Sequence, residues 1–400
     1  MDSLLDKWSE AALTSLGFFW MALWAFVLGY LISSIIQVMV SRSEMRKLMG
    51  DDSLKSMTLG SAFGFISSSC SFAALATSRA LFQKGANFAP SIAFLLASTN
   101  LVIELGFVIA LFLGWQFVVG EYIGGIILIL LAWLFIKLTN PAELIKKARQ
   151  KKSNSDHDHE NDGHPWSRIL DKEIWSAISQ KYAMEWQMVW KDVLIGFTVA
   201  GIISAFVPTA FFEWLFIGAG TSDPGFWALL QQAMVGPVAA FFTFIGSMGN
   251  IPLAAVLFGE GVAFAGVMAF IFSDLIVLPV LRINAQYYGW KMALYIMLML
   301  FTCLIATSLL MHYGLQLFNS LPDQSQWSSP ADRDHFQLNY QFWLNVISIV
   351  ASVWMLLKWK RQNEDSKHHH HGGGSSQPII NSLCVIAVIW LVLGVVLSLF

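Results

Sequence analysis

The chain has 400 residues, of which 56% are hydrophobic and 12% charged, with a formal net charge of −2. Soluble domains carry about 25% charged residues, so this composition excludes an ordinary soluble fold. A charge balance this close to zero carries no sign of a nucleic-acid partner.

Runs of apolar residues long enough to cross a bilayer core as helix predict eight full spans. They lie at 17–40, 88–113, 115–138, 192–217, 261–281, 286–316, 337–358 and 378–399. The first run is followed by others and reads as a signal anchor, not a cleaved leader. The partner expected throughout is the lipid bilayer of a bacterial inner membrane.

Lysine and arginine collect in cytoplasmic loops. The basic clusters 41–55, 137–152, 282–291 and 358–367 are therefore predicted inside, and 218–225 and 320–336 outside. All but two of the 24 basic residues, Lys7 and Arg333, then lie inside. Both termini are predicted periplasmic. Two spans separate 41–55 from 137–152, so the segment 57–85 between them must enter and leave from one side. It is predicted as a re-entrant hairpin: helix SMTLGSAFGF, tip ISSSCS, helix FAALATSRALFQ. Arg79 and Lys84 are expected back at the cytoplasmic surface. Non-helical backbone at such depth must be buried in protein or line a wet cavity. The tip serines could satisfy that backbone, line a path, or simply let helices approach closely.

Beyond the basic loop, the Trp-rich segment 173–192 is expected to lie at the cytoplasmic interface. The chain then repeats itself. Shifting by 176 positions lays residues 71–94 on 247–270 with eight of 24 identities, among them Leu81/Leu257, Phe82/Phe258, Gly85/Gly261 and Phe94/Phe270. GYLISSIIQ (29–37) also matches GFTVAGIIS (196–204). The expected fold is an all-α polytopic membrane protein of two inverted-topology repeats, each with a re-entrant hairpin. Its parts are repeat 1 (1–140, hairpin 57–85), a His-rich cytoplasmic loop with interfacial helix (141–191), repeat 2 (192–316, hairpin 225–260), and two further spans (317–400). Inverted repeats whose discontinuous segments meet near the midplane are a transporter architecture.

The first repeat reads Cys70-Ser71-Phe72-Ala73-Ala74-Leu75-Ala76-Thr77-Ser78, then Lys84-Gly85 and Ala93-Phe94-Leu95-Leu96-Ala97-Ser98-Thr99. The second reads Gly246-Ser247-Met248-Gly249-Asn250-Ile251-Pro252-Leu253-Ala254, then Glu260-Gly261 and Ala269-Phe270. These residues resemble a bacterial family of predicted permeases that includes efflux permeases for trivalent organoarsenicals. That family's motif is similar to Cys-Ser-Cys-Gly-x-x-Pro-Leu-Ala followed by Lys-Gly. The resemblance covers roughly 20–310. It implies a permease with a substrate site at the two tips. Here Phe72 stands at the second motif cysteine and the second copy has no cysteine. One thiolate, Cys70, remains, and Met248 could add a soft thioether. Such ligands select soft ions.

The substrate-binding residues expected are Ser69, Cys70, Ser71, Thr99, Asn100, Ser247, Met248, Gly249 and Asn250. Intramembrane carboxylates are functional by default, so Glu104 and Asp274, each after a polar break, are the expected proton carriers. Glu121 and Glu213 lie nearer predicted interfaces and carry less weight. His157, His159 and His164 form a weak metal-binding loop, as does the run of four histidines at 368–371. Cys303 and Cys384 read as small buried hydrophobes. No G-x-x-x-x-G-K-[ST] occurs, no catalytic constellation is evident, and no cofactor is expected. The function expected is secondary efflux of a small toxic solute, a trivalent arsenical or similar soft species. A divalent-metal exporter is the alternative, and an intramembrane enzyme or structural subunit the second. A homo-oligomer is compatible with the sequence.

Overall fold

The structure is a computed structural model that describes residues 2–39, 51, 53–67, 71–83, 85–150, 171–221, 224–243, 247–323, 338, 340–365 and 377–397. Among the described residues it is all-helical. Six helices are long and apolar enough to cross a membrane, and seven if one bent pair counts as a single span. Eight were expected. The remaining expected span corresponds to the C-terminal apolar helix Gln377–Leu397, which has 21 residues.

The first half runs α1 (Asp2–Met39), α2 (Leu54–Ser67), α3 (Ser71–Gln83), α4 (Phe88–Asn100), α5 (Ile103–Phe112), α6 (Trp115–Thr139) and α7 (Ala142–Gln150). Ser53 caps α2, its Oγ accepting from the Ser56 N–H at 3.3 Å. Asp51, just outside, is held below the usual carboxylate range by hydroxyl hydrogen bonds from Ser56 and then Ser53. The expected span 88–113 is a broken one: α4 and α5 meet at 43°. The break follows Ser98-Thr99-Asn100, and the Thr99 and Asn100 side chains bond back to the last turn of α4. Thr99 Oγ1 lies 3.2 Å from the Leu95 and Leu96 carbonyls, and Asn100 Nδ2 lies 3.1 Å from that of Leu96. Such back-bonding bends helices.

The second half runs α8 (Lys172–Phe206), α9 (Thr209–Leu215), α10 (Phe226–Thr243), α11 (Ser247–Gly259), α12 (Phe264–Ile271), a 3-10 turn (Phe272–Leu275), α13 (Leu278–Tyr288) and α14 (Trp290–Leu317). The Trp-rich segment 173–192 is no separate element. It continues into the span as one 35-residue helix, which ends at Val207, before Pro208. Proline disfavours helical backbone in the residue before it. Within the chain, Tyr182 is fully buried and donates to Ser352 at 2.8 Å.

Two local geometries recur between the halves, the first at the offset of 176 and the second one helical turn short of it. After α3, Gly85 (φ 112°) and Ala86 turn the chain, their N–H groups bonding the Phe82 and Leu81 carbonyls at 3.3 and 3.0 Å. After α11, Gly261 (φ 89°) and Val262 do the same to Phe258 and Leu257 at 3.1 and 3.0 Å. Left-handed backbone at this cap favours glycine, which is why Gly85 and Gly261 are both glycine. Helices α2 and α10 each also pack on a later helix, α4 and α12, through a glycine. A Cβ on Gly64 would lie 2.4 Å from the Phe94 carbonyl, and one on Gly236 2.7 Å from that of Gly266 and 3.2 Å from the Phe270 nitrogen. Lipid is as apolar as a protein core, so close backbone approach of this kind does much of the work of helix association in a membrane.

The remaining helices, α15 (Tyr340–Asp365) and α16 (Gln377–Leu397), pack on α1 and α8. Asn345 docks α15 on α1, donating to the Trp20 carbonyl at 2.7 Å and accepting from the Trp24 N–H at 3.0 Å. The outer faces of α15 and α16 carry exposed Ile, Leu, Val and Trp side chains. Such faces suit contact with lipid chains.

Candidate functional site

Ser71 and Ser247 are the first residues of α3 and α11. They stand at equivalent positions in the repeat, and their hydroxyl oxygens lie 3.4 Å apart. Ser71 Oγ donates to Asp274 Oδ2 at 3.0 Å. Two helix N-termini thus come together beside one carboxylate. Free N–H groups and the positive end of the helix dipole favour negative charge at such a place.

Asp274 lies in the 3-10 turn that interrupts the continuous apolar segment Phe264–Tyr288. A 3-10 stretch inside a longer helix often marks a functional hinge. The side chain is 2% exposed, and its second oxygen, Oδ1, has no hydrogen-bond partner among the described residues. That oxygen could take a proton or accept from a donor on a solute. Neighbouring Ser273 is fully buried and bonds the Phe270 carbonyl, closing the turn.

The other sequence-predicted residues are distributed around this junction. Asn250 is fully buried in the first turn of α11, and Met248 is half-buried against the core. Gly249 is where α8 crosses: a Cβ on Gly196 would lie 2.5 Å from the Gly249 carbonyl oxygen. Thr99 and Asn100 are buried at the helix break, their polar atoms turned onto α4 itself. Glu104 sits in the first turn of α5, buried against α1, where Gly29 leaves room for its Cβ. Ser69, Cys70, His157, His159, His164 and the histidines at 368–371 lie outside the described residues. Among the described residues, no group of three or more His, Cys, Asp or Glu is placed to hold a metal ion.

Arg79 departs from expectation. It is 4% exposed, with its guanidinium 4.7 Å from the Tyr287 ring centroid and bonded to the Tyr287 carbonyl. Aromatic faces and a carbonyl satisfy the cation inside the protein, so it does not reach for water. Cys303 and Cys384 are buried, as small hydrophobes are.

Sequence reasoning underweighted Glu121. It is completely buried, neither carboxyl oxygen has a hydrogen-bond partner among the described residues, and Asp274 lies within electrostatic range. Its place near the start of a span suggested an interface. The signal that could have found it is the glycine face of α6. Gly120, one residue before it, packs on Phe264, and Gly124, one turn on, packs on Phe272. A carboxylate on a face that close to another helix points into protein.

A family model described as a predicted permease matches residues 7–313, covering both repeats and every described site residue. A Mycobacterium tuberculosis protein named as a candidate permease is 36% identical over 330 residues, which is 80% of each chain. No solved structure matches.

Proposed function

Because this chain belongs to the predicted-permease family, we propose that it is a secondary-active efflux transporter of two inverted repeats, which exports a trivalent arsenical or similar soft species from the cytoplasm. The observation that carries this reading is the meeting of Ser71 and Ser247, 176 positions apart, beside buried Asp274. Membership supplies only a multi-pass membrane permease. The direction, the cargo and the inversion are the proposal.

Cys70 directly precedes Ser71, and Met248 directly follows Ser247. A thiolate and a thioether at the junction would suit a soft metalloid centre. Asp274 is the coupling group. Ionised, it accepts the Ser71 hydrogen bond. Protonated, it becomes a donor and must rearrange with Ser71 and Ser247, one from each half. Proton binding at Asp274 is thereby tied to the contact between the halves, and rocking of one repeat on the other alternates access. The recurring turns at Gly85 and Gly261 and the recurring glycine contacts support the repeat. The basic bias of the loops supports cytoplasmic entry of the first hairpin, an inner-membrane location and periplasmic termini.

The test is uptake into everted membrane vesicles carrying wild type, Cys70→Ser, Asp274→Asn or empty vector, offered methylarsenite, arsenite or Zn²⁺. The expected outcome is gradient-dependent accumulation of an arsenical by wild type only. Zn²⁺ uptake with Cys70→Ser silent would overturn the arsenical reading in favour of a divalent-metal exporter. Accumulation of nothing, by protein inserted and folded, would overturn transport of these species altogether.

A further inference from the structure

We propose a second site, remote from the serine junction: a cleft at the polar end of α6 that binds the phosphodiester headgroup of an anionic phospholipid. The cleft has a volume of about 620 Å³ and lies where α6, α7 and the turn before α4 come together. Lys137, Lys146 and Arg149 line it with Asn87, Asn140 and Trp133, and among the described residues no carboxylate does. The one nearby acid on α7, Glu143, faces Lys147 instead, at 3.8 Å.

Two of the three cations are held in place. Arg149 stacks on Phe82, 4.6 Å from the ring centroid, and donates to the Ala86 carbonyl at 2.8 Å. Lys137 lies 5.2 Å from the centroid of Trp133. Asn140, in the left-handed conformation (φ 39°), ends α6 and turns the chain into α7. That turn brings Lys146 and Arg149 back beside Lys137. A planar guanidinium with two ammonium groups matches a phosphate oxygen set.

The surface below the cleft decides between a lipid and a free anion. Ile126, Leu130, Leu134 and Leu138 are all exposed along α6, at helical spacing that places them on one stripe. Lys137 sits at the head of the same stripe, one turn beyond Leu134. An acyl chain could lie along this ridge while its phosphate occupies the cleft, with Trp133 at the boundary, where tryptophan favours the interface. Basic pockets between membrane helices bind such headgroups.

The experiment is native mass spectrometry of the purified full chain titrated with phosphatidylglycerol, phosphatidylcholine or inorganic phosphate. Phosphatidylglycerol is expected to bind and phosphatidylcholine not. Inorganic phosphate is expected neither to bind nor to displace the lipid. A Lys137→Gln/Lys146→Gln double variant should weaken phosphatidylglycerol binding roughly 30-fold, about fivefold per lysine. Lys147→Gln, outside the cleft, should leave it unchanged. Equal binding of both lipids, a double variant that binds like wild type, or displacement by inorganic phosphate would each overturn the site as a lipid site. Should the double variant fail to elute as folded protein, Lys146→Gln and a salt titration of wild type give the same reading, since paired charges of this kind weaken with ionic strength.

Discussion

At the scale of single residues, the proposed coupling turns on two buried carboxylates with unequal surroundings. Asp274 Oδ2 accepts from Ser71, with the Ser247 hydroxyl close by, and Oδ1 has no hydrogen-bond partner among the described residues. Removing the Ser71 hydroxyl from a charged acceptor costs about 1.5–3 kcal/mol. Ser71→Ala should therefore slow vesicle uptake by at least tenfold while leaving the protein folded, and Asp274→Asn should reduce uptake to the empty-vector level. Glu121 has no hydrogen bond among the described residues and feels Asp274. Glu121→Gln keeps the shape and removes the second charge, so the initial rate should fall about tenfold, near 1.4 kcal/mol in the barrier. Glu104→Gln, on the α1 side, should change the rate by less than twofold. If Glu104→Gln abolished uptake while Glu121→Gln did not, the assignment of the coupling carboxylates would be wrong. The sequence made Asp274 legible because it interrupts a long apolar run with a polar pair. It hid Glu121, because depth in a membrane protein is set by which helices cover a face and not by distance along a span.

At the scale of elements, glycine decides how closely helices meet. Gly64 and Gly236 press α2 and α10 onto backbone of α4 and α12. A methyl group at either would force the helices apart, and overpacking of this kind costs about 1–3 kcal/mol. Gly64→Ala and Gly236→Ala should both lower the melting temperature in detergent, by similar amounts, because the contact is the same one in each repeat. Gly314 in α14 meets nothing within 4 Å, so Gly314→Ala should raise it slightly, through a gain of about 0.5–1 kcal/mol in helix propensity. A destabilised Gly314→Ala would mean that the α14 face is covered. Helix existence was readable from apolar runs and polar tips: the hairpin helices fall within a few residues of 57–85. Helix breaks were less so. The bend after Asn100 depends on two polar side chains, Thr99 and Asn100, bonding their own helix. The fusion of 173–192 with the following span depends on an absence, since no residue before Pro208 stops the helix.

At the scale of the whole molecule, the question is how two similar halves are oriented. Their turns at Gly85 and Gly261 have the same hydrogen bonds and the same sign of φ. Local geometry is blind to the bilayer, so identical turns fit parallel and inverted repeats alike. Only the basic loops bear on it, so the expected orientation rests on charge, and the serine junction was not readable from charge at all. The turn at Gly261 also docks on the loop before α10, where the Gly220 N–H donates to the Gly261 carbonyl at 2.9 Å. That loop belongs to the segment 218–225, which has no lysine or arginine. Inversion therefore predicts opposite faces for Lys84 and Glu260, which occupy equivalent positions. In a chain whose native cysteines are replaced by serine, Glu260→Cys should react with a membrane-impermeant maleimide in intact spheroplasts. Lys84→Cys should react only in everted vesicles. Labelling of both from one side would make the repeats parallel. Ser71 and Ser247 would then approach the junction from the same face, and a rocking exchange between two halves would lose its geometric basis.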